Sequence, residues 1–322
     1  MACSRIVFQV NTAAKAVFLL QKMNVLGIGE TVLDKSITIN GFAKEGSKVR
    51  ACNEHVSVGG PVPIALILLS RLGASCTLVT TLGSDKEGKD VRNTLAGEGV
   101  DLTVNRSKIT KVNIVLTNTR NGSRTIIKST AQHKKLMLIP IQLIQEADLI
   151  IFDRHEPIAF EYVLKHKKEK TKIITDPSTE LSENTLRLIT NSTYPIVPIE
   201  VYEELAKKIS LEKLIVTAGN SGTYLLKNDK LFHEPAYEIR VKDVLGAGDI
   251  YRGAFAYAVL KNWGVKRCIK YANLVAALHC TKVGNASAIP TPEEIKEFAK
   301  TAKQCSANKI SVKQLIGRAR HV

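Results

Sequence analysis

What limits this chain most is the order in which its apolar runs come. Short runs that end in glycine or an acid (NVLGIGE from Asn24, CTLVTTLGSD, ADLIIFD, TKIITD, PIVPIE, KLIVTAG) alternate with longer runs. In those the apolar residues fall at helical spacing: 64–72, GKDVRNTLAGEGV, VYEELAKKI, and KYANLVAALHC continuing to Gly284. Parallel strands need a long return connection, which a helix supplies, so this alternation predicts an α/β fold with a mainly parallel sheet covered by helices. Residues 37–58 depart from it. There SITI and EHVSV alternate at period two around Gly41 and Gly46, and further on VNIVLTNTRNGSRTIIK reads as a hairpin turning at Asn121 and Gly122. Both suit a small sheet standing off the main one.

At about 150 residues per domain, the 322 residues allow two domains, or one large domain with an appendage. The domain is expected to begin at Met23, which leaves 1–22 as a basic, acid-free leader, either a transit peptide or an upstream extension. The tail 301–322 is basic and patternless. A net charge of +16 favours anionic ligands. Nucleic acid is not the expected partner, because no binding module and no interleaving of aromatic with basic residues is present, and runs such as KHKKEKTK read as solvated faces. Six scattered cysteines without a CxxC pair predict a reduced, cytosolic protein without structural zinc. No apolar run approaches the roughly 18 residues of a membrane span.

Chemistry concentrates in DVLGAGD, 243–249, followed by IYRGAFAYAVL. Gly246, Ala247 and Gly248 precede an acid and a helical run, so the stretch reads as a tight loop opening a helix. A helix start offers unpaired N–H groups and the positive end of the dipole, and small residues let an anion approach them. Asp249, at the rim, is placed to take a proton from an alcohol. The alternative is that the glycines only shape the loop and Asp249 only complements the dipole. Glu30 and Asp34 follow a strand end, where an acid can bind hydroxyls, and ADLIIFD delivers Asp153 and Arg154 to a similar place. Gly59 and Gly60, before the prolines of GGPVP, allow close approach of a ligand or serve as a hinge. Thr217, Gly219, Asn220, Ser221 and Gly222 form a loop able to wrap a nucleotide or simply to turn a hairpin. Asn273 either reaches a base or packs its helix.

The order of these pieces resembles the ribokinase-like, or PfkB-type, carbohydrate kinases over nearly all of 24–299, through GIGETVLD, Gly59-Gly60, VTAGNSG, DVLGAGD, and YANLVAA with Gly284 beyond it. The resemblance implies a three-layer α/β/α sandwich over 23–300, with a small β lid from 37–58 and 112–128. It implies an ATP-dependent kinase of a small sugar or sugar-like substrate. Asp249 would be the general base, the backbone of Gly246, Ala247 and Gly248 the anion hole, and Mg²⁺ would ride on the phosphates. The substrate side would hold Asp34, Gly59, Gly60 and Asp153, and the ATP side 217–222, Asn273 and Gly284. A monovalent cation such as K⁺ would lie near Asp243, Leu245 and Gly284, and a homodimer would pair through the lid. Three positions depart from the family pattern: Val244 replaces a usual Thr, Ile64 stands where an Asn touches the sugar, and the NxxE segment falls on IEVY, 199–202, with Glu200 and Glu203 close by. A nucleoside kinase on the same fold, or a degraded kinase acting as a regulator, stays open at this point.

Overall fold

The computed structural model describes residues 23–120, 123–131, 136, 139–209, 213–227 and 230–306. From β1 (Asn24–Ile28) the chain enters the lid strands β2 (Val32–Ile39) and β3 (Ala51–Gly59), then returns through α1 (Pro61–Arg71), β4 (Ser75–Gly83), α2 (Lys86–Gly97) and β5 (Val100–Ser107). A second excursion makes β6 (Val112–Asn118) and β7 (Arg124–Ile127). It is followed by α3 (Ile141–Glu146), β8 (Leu149–Asp153), α4 (Pro157–His166), β9 (Lys172–Asp176), α5 (Glu183–Thr190), β10 (Ile196–Pro198) and α6 (Ile199–Lys208). The last part holds β11 (Lys213–Thr217), β12 (Thr223–Lys227), β13 (Lys230–Glu234), α7 (Ala247–Leu260), α8 (Val265–Cys280) and α9 (Pro292–Thr301).

The central sheet runs β5-β4-β1-β8-β9, and every pairing is parallel. Beyond β9, the Thr193 N–H donates to the Ile173 carbonyl at 2.9 Å and brings up a second sheet, β10-β11-β12-β13, antiparallel after its first pair. This is the expected α/β architecture. Helix α1 explains its own position: residues 62–69 are all buried, as befits a helix that is apolar all round and covered on every side. It crosses α7 closely, and at Gly253 an added Cβ would lie 3.0 Å from the Ala65 carbonyl oxygen. In a parallel sheet all strand C-termini share one edge, and Glu30, Asp153 and Asp176 emerge there.

The lid is the third sheet, β3-β2-β6-β7, and it begins at Val32 instead of 37. Strand register sorts its side chains. Val56, Lys35, Ile114 and Ile127 form one cross-strand row facing outward, while Ser57, Asp34 and Asn113 form the neighbouring row on the opposite face. Asn121, Gly122, the leader 1–22 and residues 307–322 lie outside the described residues. The tail does gain structure at its start, where Gln304 pairs with Tyr237 and the Cys305 N–H reaches the Ala236 carbonyl. Helix α8 stops at Cys280 and does not continue to Gly284, whose φ of 105° is incompatible with a right-handed helix. Among the described residues no helix is long and apolar enough to cross a membrane.

Candidate active site

The loop before α7 is held open from below. Asp243, buried, accepts the Leu245 N–H on one oxygen (2.9 Å) and the Gly284 N–H on the other (3.0 Å), which staples the loop to the segment after α8. Gly246 then takes φ 78° as the N-cap of α7. Glycine is required there twice over, by that left-handed φ and because a Cβ would meet Asn285 Oδ1 at 2.3 Å. The first helical bond is Ile250 N–H to the Gly246 carbonyl, and the Ala247 N–H makes a long bond (3.3 Å) to Val244. The amides of Gly248 and Asp249 lie in the first turn, where a helix offers no internal acceptor. Gly248 is exposed, so this mouth is open, and Asp249 is half-buried beside it. Burial, and then the charge of Asp176, push the Asp249 carboxyl well above the usual carboxylate range, with Arg252 and Arg124 opposing.

On the lid side, Asp34 Oδ1 accepts from Asn113 Nδ2 at 3.1 Å across the inner row. Its other oxygen occupies the space a Gly59 side chain would need, 2.0 Å from the ideal Cβ position. Burial raises the Asp34 pKa, while hydrogen bonds from Asn113 and Asn285 counter the rise. Asn285, buried to 3% exposure, thus stands between Asp34 and the glycine loop. Asp34 and Asp249 lie near enough that the charge of one disfavours ionisation of the other. Gly60, at φ 107°, packs on the Glu30 carbonyl, where a Cβ would come within 2.3 Å. Glu30 is in turn tied to the lid by Lys111 (2.6 Å) and lies 3.4 Å from His155. Asp153 is buried under this wall and accepts the Glu30 and His155 N–H groups, at 2.6 and 2.9 Å; burial pushes its carboxyl up to about 7. The structure therefore gives Asp153 the work of tying β1 to β8, one layer beneath the cleft.

The loop after β11 forms a 3-10 turn over Gly219–Ser221 with Gly219 and Asn220 exposed, and Thr217 is half-buried at its start. Gly222, at φ 87°, backs directly onto the Glu234 carbonyl, where a Cβ would fall at 2.2 Å. His233, stacked on Tyr224, lies 2.6 Å from the Ser221 carbonyl and braces the loop. Asn273 turns away from it. Its Oδ1 accepts from Thr223 (2.7 Å) and its Nδ2 donates to the Glu234 and Pro235 carbonyls (3.1 and 3.2 Å), so the expectation of a base contact gives way to helix packing. The groups expected near a cation are all engaged in the loop's own bonding. Both Asp243 carboxylate oxygens accept amide N–H groups, and the Leu245 carbonyl accepts from His279 Nε2 at 2.6 Å, so each of these oxygens already has one hydrogen-bond donor. Among the described residues no cluster of three acidic, His or Cys side chains could hold a metal ion. Ile64 lies in the core, fully buried, with its whole side chain packed in α1. Hollows of about 370 Å³ beside α6 and about 410 Å³ beside Trp263 contain none of the site residues.

Sequence reasoning missed Asn113, Asn285, Asp176 and Arg252. Two of them left a signal: Arg252, one helical turn after Asp249 in GAGDIYRGAF, and Asp176, the acid that ends TKIITD.

The pattern described as pfkB family carbohydrate kinase matches residues 22–178 and 179–292. A ribokinase of Haemophilus influenzae is 25% identical over 299 residues, covering 85% of this chain and 98% of its own. The crystal structure of ribokinase from Thermotoga maritima shares the fold with a TM-score of 0.73 at 21% identity, over 87% of this chain and 100% of that one. Arabidopsis thaliana ribokinase complexed with ribose and ATP does so with a TM-score of 0.66 at 20% identity, over 87% and 99%. A match that runs from β1 to the start of α9, and takes in both the lid and the loop ending at Asp249, means that the chain belongs to the pfkB family of carbohydrate kinases.

Proposed function

We propose that this kinase transfers the γ-phosphoryl group of ATP to a hydroxyl of a small sugar held between the lid and the mouth of α7. The observation that carries the reading is the approach of two acids: Asp34 from the lid, whose partner Asn285 packs against the Gly246 loop, and Asp249 from the helix start, close enough that the charge of one perturbs the other. Asp34 with Asn113 would hold and orient sugar hydroxyls. Asp249, its basicity raised by burial, would accept the proton of the attacking hydroxyl. The first-turn amides of Gly248 and Asp249 would receive the charge that develops on the transferred group, in a site where positioning and electrostatics supply most of the rate. The turn at 219–222 supports the nucleotide from the β11 side. Mg²⁺ supplies charge neutralisation on the donor phosphates when it arrives with ATP. The Lys111–Glu30 pair would hold the lid against the body while the sugar is enclosed. The apolar outward row Val56, Ile114 and Ile127, each exposed, supports pairing of two chains through their lids.

The test is a coupled ADP-release screen over ribose, fructose, hexose phosphates, ketodeoxygluconate, inositol and nucleosides, run beside Asp249→Asn. On the best substrate that variant should lose about 10²–10⁴-fold in kcat, the scale of a general base. Full activity in Asp249→Asn would refute the assignment.

A further inference from the structure

Arg252 is a charged residue in a place where charge is costly, and nothing in the scheme above uses it. It lies inside α7 with 8% of its surface exposed, and its Nε has no hydrogen-bond partner. A buried guanidinium with an idle donor is expensive unless something anionic completes it. Only one side is completed: Nη2 lies 3.0 Å from Asp176 Oδ1, at the end of β9. The other side faces the helix start. Side chains on a helix lean toward its N-terminus, and positions four apart lie one above the other, so the guanidinium of residue 252 rises over residue 248. Accordingly, Nη1 is 3.2 Å from where a Cβ of Gly248 would be. Gly248 thus leaves open the path along which this cation meets the amide mouth, and the charge of Arg252 is felt at Asp249. Asp176, which also accepts the Ser178 N–H at 2.8 Å, acts as a clamp that holds the fork in place.

We infer that Arg252 is a further catalytic residue: its guanidinium contacts the phosphoryl group bound at the Gly248–Asp249 amides and stabilises the charge spread over that group's oxygens during transfer. A planar fork held at one edge by a carboxylate presents its remaining N–H groups to oxygens, the geometry at which guanidinium exceeds ammonium. A fixed positive group near the transferred phosphoryl serves charge stabilisation directly. The inference rests on the proposed kinase reading, and its experiment separates the two.

Four variants are compared by kcat and by the KM values for sugar and ATP: Asp249→Asn, Asp176→Asn, Arg252→Ala, and the double variant Asp176→Asn with Arg252→Ala. The double variant avoids leaving Asp176 as an unpaired buried charge, so it folds even if Arg252→Ala alone does not. Arg252→Ala and the double variant should lose about a hundredfold or more in kcat with sugar KM held within about threefold. Millimolar guanidinium ion should restore kcat at least about tenfold in these two and not in Asp249→Asn. Asp176→Asn, which keeps the guanidinium, should stay within about tenfold of the parent. Recovery of parental kcat in the double variant, or equal losses in Asp176→Asn and Arg252→Ala without rescue, would show that the pair is only structural and overturn the inference. An active Asp249→Asn would instead overturn the kinase mechanism, whatever Arg252 does.

Discussion

Replacing Gly59 by alanine should separate sugar recognition from the rest of the machinery. Gly59 carries no left-handed φ, so alanine meets no backbone strain, and the whole effect is steric. The added Cβ would lie 2.0 Å from Asp34 Oδ2 and 2.5 Å from its Cγ. Ordinary carbon–oxygen contact needs more than about 3 Å, so the carboxylate must retreat by about 1 Å or more. That movement breaks the bond from Asn113, now 3.1 Å, and withdraws the charged acceptor from the sugar. A hydrogen bond to a charged group is worth about 1.5–3 kcal/mol, and two lost together amount to about 3–6 kcal/mol. At about 1.4 kcal/mol per factor of ten, kcat/KM for the sugar should fall by at least about a hundredfold. The KM for ATP should stay within about twofold, since Gly59 belongs to the lid and not to the 217–222 turn. Steady-state kinetics with each substrate varied in turn, alongside a thermal melt showing an intact fold, decide the matter. A Gly59→Ala protein with parental sugar kinetics would refute both the placement of Asp34 and its role.

Further outcomes follow from the same geometry. Because burial and Asp176 raise the pKa of Asp249, the active, deprotonated base is lost as pH falls through that raised value; kcat should therefore drop on its acid side well above the ordinary carboxylate value of about 4. Arg124→Gln, by removing a charge that favours the ionised form, should move that limb to still higher pH, and an unmoved limb in a pH–rate profile would count against the lid arginine facing Asp249. Gly253→Ala forces a Cβ to within 3.0 Å of the Ala65 carbonyl and should destabilise by about 1–3 kcal/mol, seen as a lower denaturation midpoint.

The parts of this fold that were legible in the sequence are those coded locally. Strand–turn–helix order fixed the central sheet, period-two alternation exposed β2 and β3, and Gly246-Ala247-Gly248 before a helical run marked the mouth of α7. What was not legible depends on residues meeting across long stretches of chain. Asn113 finds Asp34 from 79 positions away, and Asn285 reaches the loop from behind α8; neither carries a motif, because an amide that tunes a carboxylate needs only to arrive. Asn273 failed for the opposite reason. A polar residue on a small-residue face suggested a ligand, but two carbonyls at the end of β13 and a threonine on β12 claimed it first. The strand β5 and the helices α3, α4, α5 and α9 are not assigned from the sequence, although α5 and α9 carry start signals in the capping boxes at Ser182 and Thr291.

The lid enters and leaves the body as two inserts, one before α1 and one between β5 and α3, while α7 is locked to α1 through the side-chain-free contact at Gly253. On the proposed reading, recognition of the acceptor and transfer of the phosphate would be carried on separable pieces of chain. Changes in the inserts away from Arg124 would then retune which polyol is taken while leaving the α1–α7 contact in place, so the lid would behave as an exchangeable cassette.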